Sequence, residues 1–288
     1  MPPASEGNTS PSTATPGQRL RVHHAKRGRM RFAGHRDNAR ACEHALRRAQ
    51  VPRAFSAGFS PHPKISHTGA VPTGAAGEAD HLELLLAERC SPGQVRADLD
   101  KAMPEGNDVI EVVEARNPGS ADRLHASEWR VEPAGVDPDD AAEAVADCSA
   151  ADSVEVERTT KKGRRRFDTR PAVVRSNVSA KPHGRGPREQ HVAYAILRMV
   201  VRHTQPAVRP SDVLNGLHHV ADLAPPSSLS TTRPAQGPLG EAIGAIVDPL
   251  TVDRPDAHTT STGSTGLDVN ERHENASQPS VSTTGPPG

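Results

Sequence analysis

Aromatic residues are nearly absent: the 288-residue chain holds four Phe, one Tyr and one Trp. Its core has to be filled with Val, Leu, Ile and Ala, which bury less area per residue than rings, so a modestly stable body is expected. No apolar run approaches the roughly 20 residues that cross a bilayer, and the first residues lack the basic start and apolar middle of a signal peptide. A cytoplasmic protein with no membrane partner is the expectation. Cys42, Cys90 and Cys148 are an odd count without CxxC spacing, which reads as reduced thiols. GxSxG, GxxxxGK[ST], HExxH and a helix-opening GxGxxG are all missing, so neither a metal nor a cofactor is expected. Of the fifteen histidines, the adjacent His23 and His24 would point to opposite faces of a strand and cannot share one ion.

Charge is present but balanced, 35 Lys and Arg against 35 Asp and Glu, and the balance hides segregation. Arg19 to Arg53 carries eleven bases and two acids; Asp122 to Glu157 carries eleven acids and two bases; Arg158 to Arg185 carries ten bases and one acid. Neutrality overall therefore does not argue against a polyanionic partner.

The ends, 1–17 and 255–288, are rich in Ser, Thr, Pro and Gly and read as disordered tails. Between them, "RLRVHHA" (19–25) alternates as a half-buried strand, and "HRDNARACEHALRRAQ" (35–50) has an apolar helical stripe opposite Arg36, Arg40 and Arg47. "KISHTGAV" and "HLELLLAE" read as strands, "SPGQVRADLDKAM" as a Ser-capped helix with Pro at its first position, and "DVIEVVEA" as a strand. The second half repeats the theme: "SEWRVEP", "SVEVERT", "HVAYAILRMVVRH" and "LSTTRPAQ" as strands, "DPDDAAEAVADCSAA" as a helix, and "RPSDVLNGLHHVA" as a helix capped by Ser211. The predicted class is α+β, two ferredoxin-like units in βαββαβ order in tandem, over 18–118 and 119–254.

Three stretches are candidates for binding. A turn carrying Lys26, Arg27, Arg29 and Arg31 beside Gly28 leads into the helix with His35, Arg36, Arg40 and Arg47, a pattern suited to phosphate oxygens. Lys161, Lys162, Arg164, Arg165 and Arg166 crowd a second turn, more cations than a hairpin needs to fold. In "FSAGFSPHPKIS" (55–66), Pro61 and Pro63 stiffen a loop, Phe55 and Phe59 are expected to anchor it on the core, and His62 and Lys64 would stand at its tip. His35 and His62 are also the residues a metal-independent ribonuclease would use as acid and base.

The run from "RVHHAKRGRMRF" through "HRD", "ALRRA", "FSAGFSPHPKIS" and "PTG" resembles the bacterial radical SAM-linked protein family. "EARNPGSADRLHAS", "TKKGRRRFD", "ILRMVVRHTQPAVRPSDVL" and "AQGPL" extend the resemblance to the free-standing actinobacterial members, from about Arg19 to about Arg254. Ala33 and Gly34 stand where that family usually has a small hydroxyl residue, and Asn38 where a large apolar one is usual. The radical SAM cysteine triad is absent from the chain. The resemblance implies a fold and a setting beside a separate radical SAM enzyme, without an activity. Together these readings point to a non-catalytic, RNA-contacting accessory module, with a radical SAM partner subunit or a small ribonuclease as the alternatives.

Overall fold

The computed structural model describes residues 17–117, 119, 121–161, 163–183, 192–223, 228–240, 242 and 244–255. Both predicted tails, apart from Gly17 and Pro255, and Lys162 lie outside these residues. The first half runs β1 (Gln18–Lys26), a 3-10 turn (Gly28–Phe32), α1 (His35–Arg48), β2 (Ile65–Thr68), β3 (Ala76–Leu86), α2 (Pro92–Ala102) and β4 (Val109–Glu114). The second runs β5 (Ala126–Pro133), α3 (Pro138–Ala150), β6 (Glu155–Thr160), β7 (Gly163–Asp168), β8 (Val173–His183), β9 (Val192–Arg202), α4 (Pro210–Ala221) and β10 (Leu229–Gly237). It is a mixed α+β fold around one large sheet.

The sheet has the order β4-β1-β3-β10-β5-β9-β8, with β2 also paired to β3. Neighbours are antiparallel except β3 and β10, which run parallel and meet only at Thr232 opposite Ala76 and Arg233 opposite Gly77. Just beyond, β2 takes the same edge of β3 over His81 to Leu84. β6 and β7 form a separate two-stranded hairpin turned at Gly163, whose φ of +106° favours glycine.

Alternation explains the packing. Leu20, Val22, Leu82, Leu84 and Leu86 point to one face, where Cys42, Ala45 and Leu46 of α1 and Val95 and Leu99 of α2 cover them. In the second half Trp129, Val131, Leu197 and Met199 meet Ala144 of α3 and Val213 and Leu217 of α4. Pro at the first position opens α2, α3 and α4. The Asp137 carboxylate caps α3 by accepting from the Asp139 amide at 2.8 Å. For α4 the cap is two residues earlier than Ser211: Arg209 is the N-cap, and the Asp212 carboxylate accepts from its amide at 2.8 Å.

β1 departs from the half-buried expectation. Arg21, His24 and Lys26 are as buried as Leu20 and Val22, because both faces of the strand are covered. The face that carries Arg21 lies under the segment that follows β10, through Leu250 and Asp253. Asn38, at an apolar position of the resembled family, is buried and accepts from Asn107 Nδ2 at 2.7 Å. That bond satisfies a polar side chain where a hydrophobe would need none.

Candidate nucleic-acid interface

The first basic turn is only partly a surface feature. Lys26 is buried, its Nζ donating to the Ala33 carbonyl at 2.9 Å, and burial lowers its pKa. Arg27 is exposed but engaged by the carboxylates of Glu78 and Asp108, and the Glu78 hydrogen bonds foremost raise its pKa. Arg31 is half-buried with its guanidinium 4.6 Å from the Phe32 ring centroid. Of the four cations expected to hold phosphates, Arg29 alone is exposed without an ion pair among the described residues. For Lys26 and Arg27 the physical reason lies in the neighbouring strands: Glu78 and Asp80 of β3 and Asp108 just before β4 supply anions that a charge count over 19–53 does not include.

Arg48 at the end of α1 donates to the Ala102 carbonyl, but the other three arginines of the helix are unpaired among the described residues. Gly34, in extended conformation, starts the helix without a side-chain cap, and Asn38, Cys42, Ala45 and Leu46 define the buried stripe. Arg36, Arg40 and Arg47 are exposed opposite it, and none forms an ion pair among the described residues. His35 is exposed at the start of the helix, edge-on to His67 with ring centroids 5.8 Å apart.

In the β6–β7 hairpin, Val154 and Val156 bury the base, while Lys161, Arg164, Arg165 and Arg166 are exposed. Arg164 and Arg166 are paired across the strands with Glu157 at 3.3 Å and Glu155 at 2.9 Å. Lys161 and Arg165 remain without ion pairs among the described residues.

The 55–66 loop is a small backbone hairpin. The Ser56 amide donates to the His62 carbonyl and the Lys64 amide to the Ala54 carbonyl, both at 2.8 Å, and Phe55 bridges Pro63. His62 and Lys64 are both exposed, but not at the tip as expected: Lys64 lies at the base of the hairpin, its amide donating to the Ala54 carbonyl and its carbonyl accepting from the Leu85 amide, and His62 pairs with Ser56 between base and tip. The expected anchoring by rings is overturned: Phe59 is fully exposed at 110% and Phe55 is exposed at 49%. Backbone hydrogen bonds, two prolines and Gly58 at φ +118° hold the loop's shape, so the rings have no structural task there. Phe32 is also exposed, which puts three of the four phenylalanines at the surface. Pattern reading missed this because it assigns a scarce ring to the core by default.

A buried polar group lies beneath the turn. Asp80 accepts from Arg233 Nη2 at 2.6 Å and from the Val71 amide at 3.3 Å. His24 lies on the same face of the sheet and is held neutral by burial, and burial likewise pushes His67 down to about 4. His81 falls to about 3, and neither of its ring nitrogens has a hydrogen-bond partner among the described residues. Burial raises Cys42 to about 12, so this thiol is no nucleophile at neutral pH. His35 and His62 sit on different elements with no contact joining them, and His35's ring neighbour is His67. Among the described residues no three His, Cys, Asp or Glu side chains converge on a metal position. Likewise no helix among them is long and apolar enough to cross a membrane.

A family model described as an uncharacterized protein conserved in bacteria (DUF2344) matches residues 19–210, which contain α1, the exposed loop and the β6–β7 hairpin. The chain belongs to that family. No curated protein matches this DUF2344 chain. Among solved structures, the encapsulated DyP-type peroxidase from Mycobacterium smegmatis aligns at 12% identity and a TM-score of 0.19, covering 79% of this chain and 93% of its own. DyPB from Rhodococcus jostii RHA1 aligns at 11% identity and 0.18, covering 76% and 94%. TM-scores this low carry no argument about the fold or function of the DUF2344 protein.

Proposed function

We propose that this DUF2344 protein is a non-catalytic module that contacts RNA phosphates. The observation that carries the reading is the exposed stripe of Arg36, Arg40 and Arg47 on α1, free of ion pairs among the described residues. A buried carboxylate partner would have marked these arginines as structural; instead their charge is available to a polyanion. Lys161 and Arg165 on the hairpin add two further free cations, and Arg29 a third. The test is fluorescence anisotropy of a labelled RNA against salt with Arg36→Gln, Arg40→Gln and Arg47→Gln combined. Each phosphate contact removed flattens the log–log salt slope by roughly 0.7 for a single strand. An unchanged slope and affinity would refute the reading.

The finer architecture belongs to the same proposal. Read separately, the halves have strand orders β4-β1-β3-β2 and β10-β5-β9-β8, each with two helices, which supports two ferredoxin-like units over 18–118 and 119–254. The β6–β7 hairpin would then be an insertion in the second. The resemblance to the radical SAM-linked family supports a cytoplasmic setting beside a radical SAM enzyme, tested by co-purification of an iron–sulfur protein.

A further inference from the structure

Exposed rings are costly in water, and this chain has very few rings to expose. Phe32 precedes α1 and Phe59 stands on the loop that follows it, and the sheet register places the turn that carries Phe32 and the base of the loop that carries Phe59 at opposite ends of the helix. The 3-10 turn carrying Phe32 continues β1 past Lys26, whereas the base of the Phe59 loop bonds to Leu85 and Leu86, opposite the beginning of β1 at Gln18. Between them α1 spans 14 residues, about 21 Å, with Arg36, Arg40 and Arg47 along its exposed face. Guanidinium groups also accompany the rings: Arg31 lies over Phe32, and Arg53 lies 5.6 Å from the centroid of Phe55.

We infer that Phe32 and Phe59 are stacking platforms for unpaired bases and that α1 holds the phosphates between them, so that the surface prefers a single-stranded segment of RNA. Free cations between the rings complement a phosphate backbone, and aromatic faces accept any base that is not already stacked in a duplex. An apolar protein face would have to desolvate Arg36, Arg40 and Arg47, which have no ion pair among the described residues, without compensating charge, whereas a phosphate backbone supplies that charge. The inference rests on the RNA-contacting reading above and adds the form of RNA and the residues that select it.

The test uses the full chain, a fluorescein-labelled 12-nucleotide oligouridylate and a 12-base-pair RNA duplex. Phe59→Ala should weaken binding of the single strand by roughly 5- to 100-fold, Phe32→Ala should also weaken it, and Phe59→Trp should restore it. The salt slope of both variants should stay that of the parent, and duplex binding should stay weak in all of them. If the alanine variants bind the single strand like the parent while the α1 arginine variant does not, RNA contact stands and the stacking role is wrong. Equal binding of duplex and single strand by the parent also overturns it, and a parent that binds neither overturns both readings. Because Phe59 touches no core, an unchanged melting temperature confirms that any lost affinity is not lost folding.

Discussion

His81 is a buried imidazole whose two nitrogens find no hydrogen-bond partner among the described residues, a state tolerable only while it is neutral. Burial is the main cause of its low pKa, with His23, His24 and Arg233 adding repulsion and Asp248 opposing them. His67 is lowered in the same way, by burial first and then by His24 and His35. Above about pH 6.5 neither group binds a proton in either state, so neither affects stability. Below it the unfolded chain takes up protons that the folded chain refuses, and stability falls as pH drops from about 6.5 towards about 4 for His67 and about 3 for His81. Urea unfolding at pH 7, 6, 5 and 4.5 should show a steadily falling midpoint. His81→Leu should leave stability at pH 7 equal or higher and make the acid fall shallower; an acid fall as steep as the parent's would exclude His81 as a source. None of this was legible in "HLELLLAE", where His81 reads as an ordinary polar position at the edge of an apolar run. On its face of the sheet it lines a small cavity together with Pro249 and Leu250, some 170 positions away in sequence, and local alternation carries no information about such a cover.

The two halves of the sheet meet where β3 and β10 run side by side for two residue pairs, too short a ladder to set the junction by itself. Asp80 and Arg233 reinforce it, both almost wholly buried and hydrogen-bonded, and Gln236 Nε2 of β10 donates to the Ala79 carbonyl. Removing one member of such a pair leaves the other as an uncompensated buried charge, so Asp80→Ala should cost about 3–5 kcal/mol by chemical denaturation. Replacement with little loss would mean that water reaches Arg233. The elements on either side of this junction were largely readable: α1, α2, α3, β4 and β5 lie within a residue or two of their sequence patterns, because each buries an apolar stripe of its own period. β7 and β8 were missed, since "GRRRFD" is nearly all charge and "VVRSNVSAKPH" is interrupted by polar residues and proline. The α1 stripe was read correctly because helical periodicity alone fixes it. The turn before it was not, because the fate of Lys26 and Arg27 depends on which acids β3 and the turn into β4 bring alongside.

Over the whole molecule, one short segment after β10 fastens elements far apart in the chain. Asp253 pairs with Arg21 of β1 and, at 2.8 Å, with Arg123, and its other oxygen accepts from the Arg116 amide at 3.0 Å. Arg254 pairs at 2.6 Å with Glu111 of β4. Burial alone would raise the Asp253 pKa, but the Arg116 amide and the Arg21 and Arg123 guanidiniums outweigh it and hold it below the usual carboxylate range. A carboxylate lowered in this way contributes stability that is complete above its unfolded pKa and is lost as pH falls through the folded one. Asp253→Ala leaves Arg21 buried with Glu83 as its remaining acid and should cost about 3–5 kcal/mol at neutral pH. Trp129, the one Trp, lies in the other half, packed against β9 beneath Arg233. If the continuous sheet makes both halves one cooperative unit, Trp129 fluorescence and far-ultraviolet circular dichroism will shift to lower urea together in Asp253→Ala. A variant in which the fluorescence midpoint stays put while the dichroism transition moves would show that the β3–β10 junction transmits nothing, and that the segment around Asp253 stabilises the first half alone.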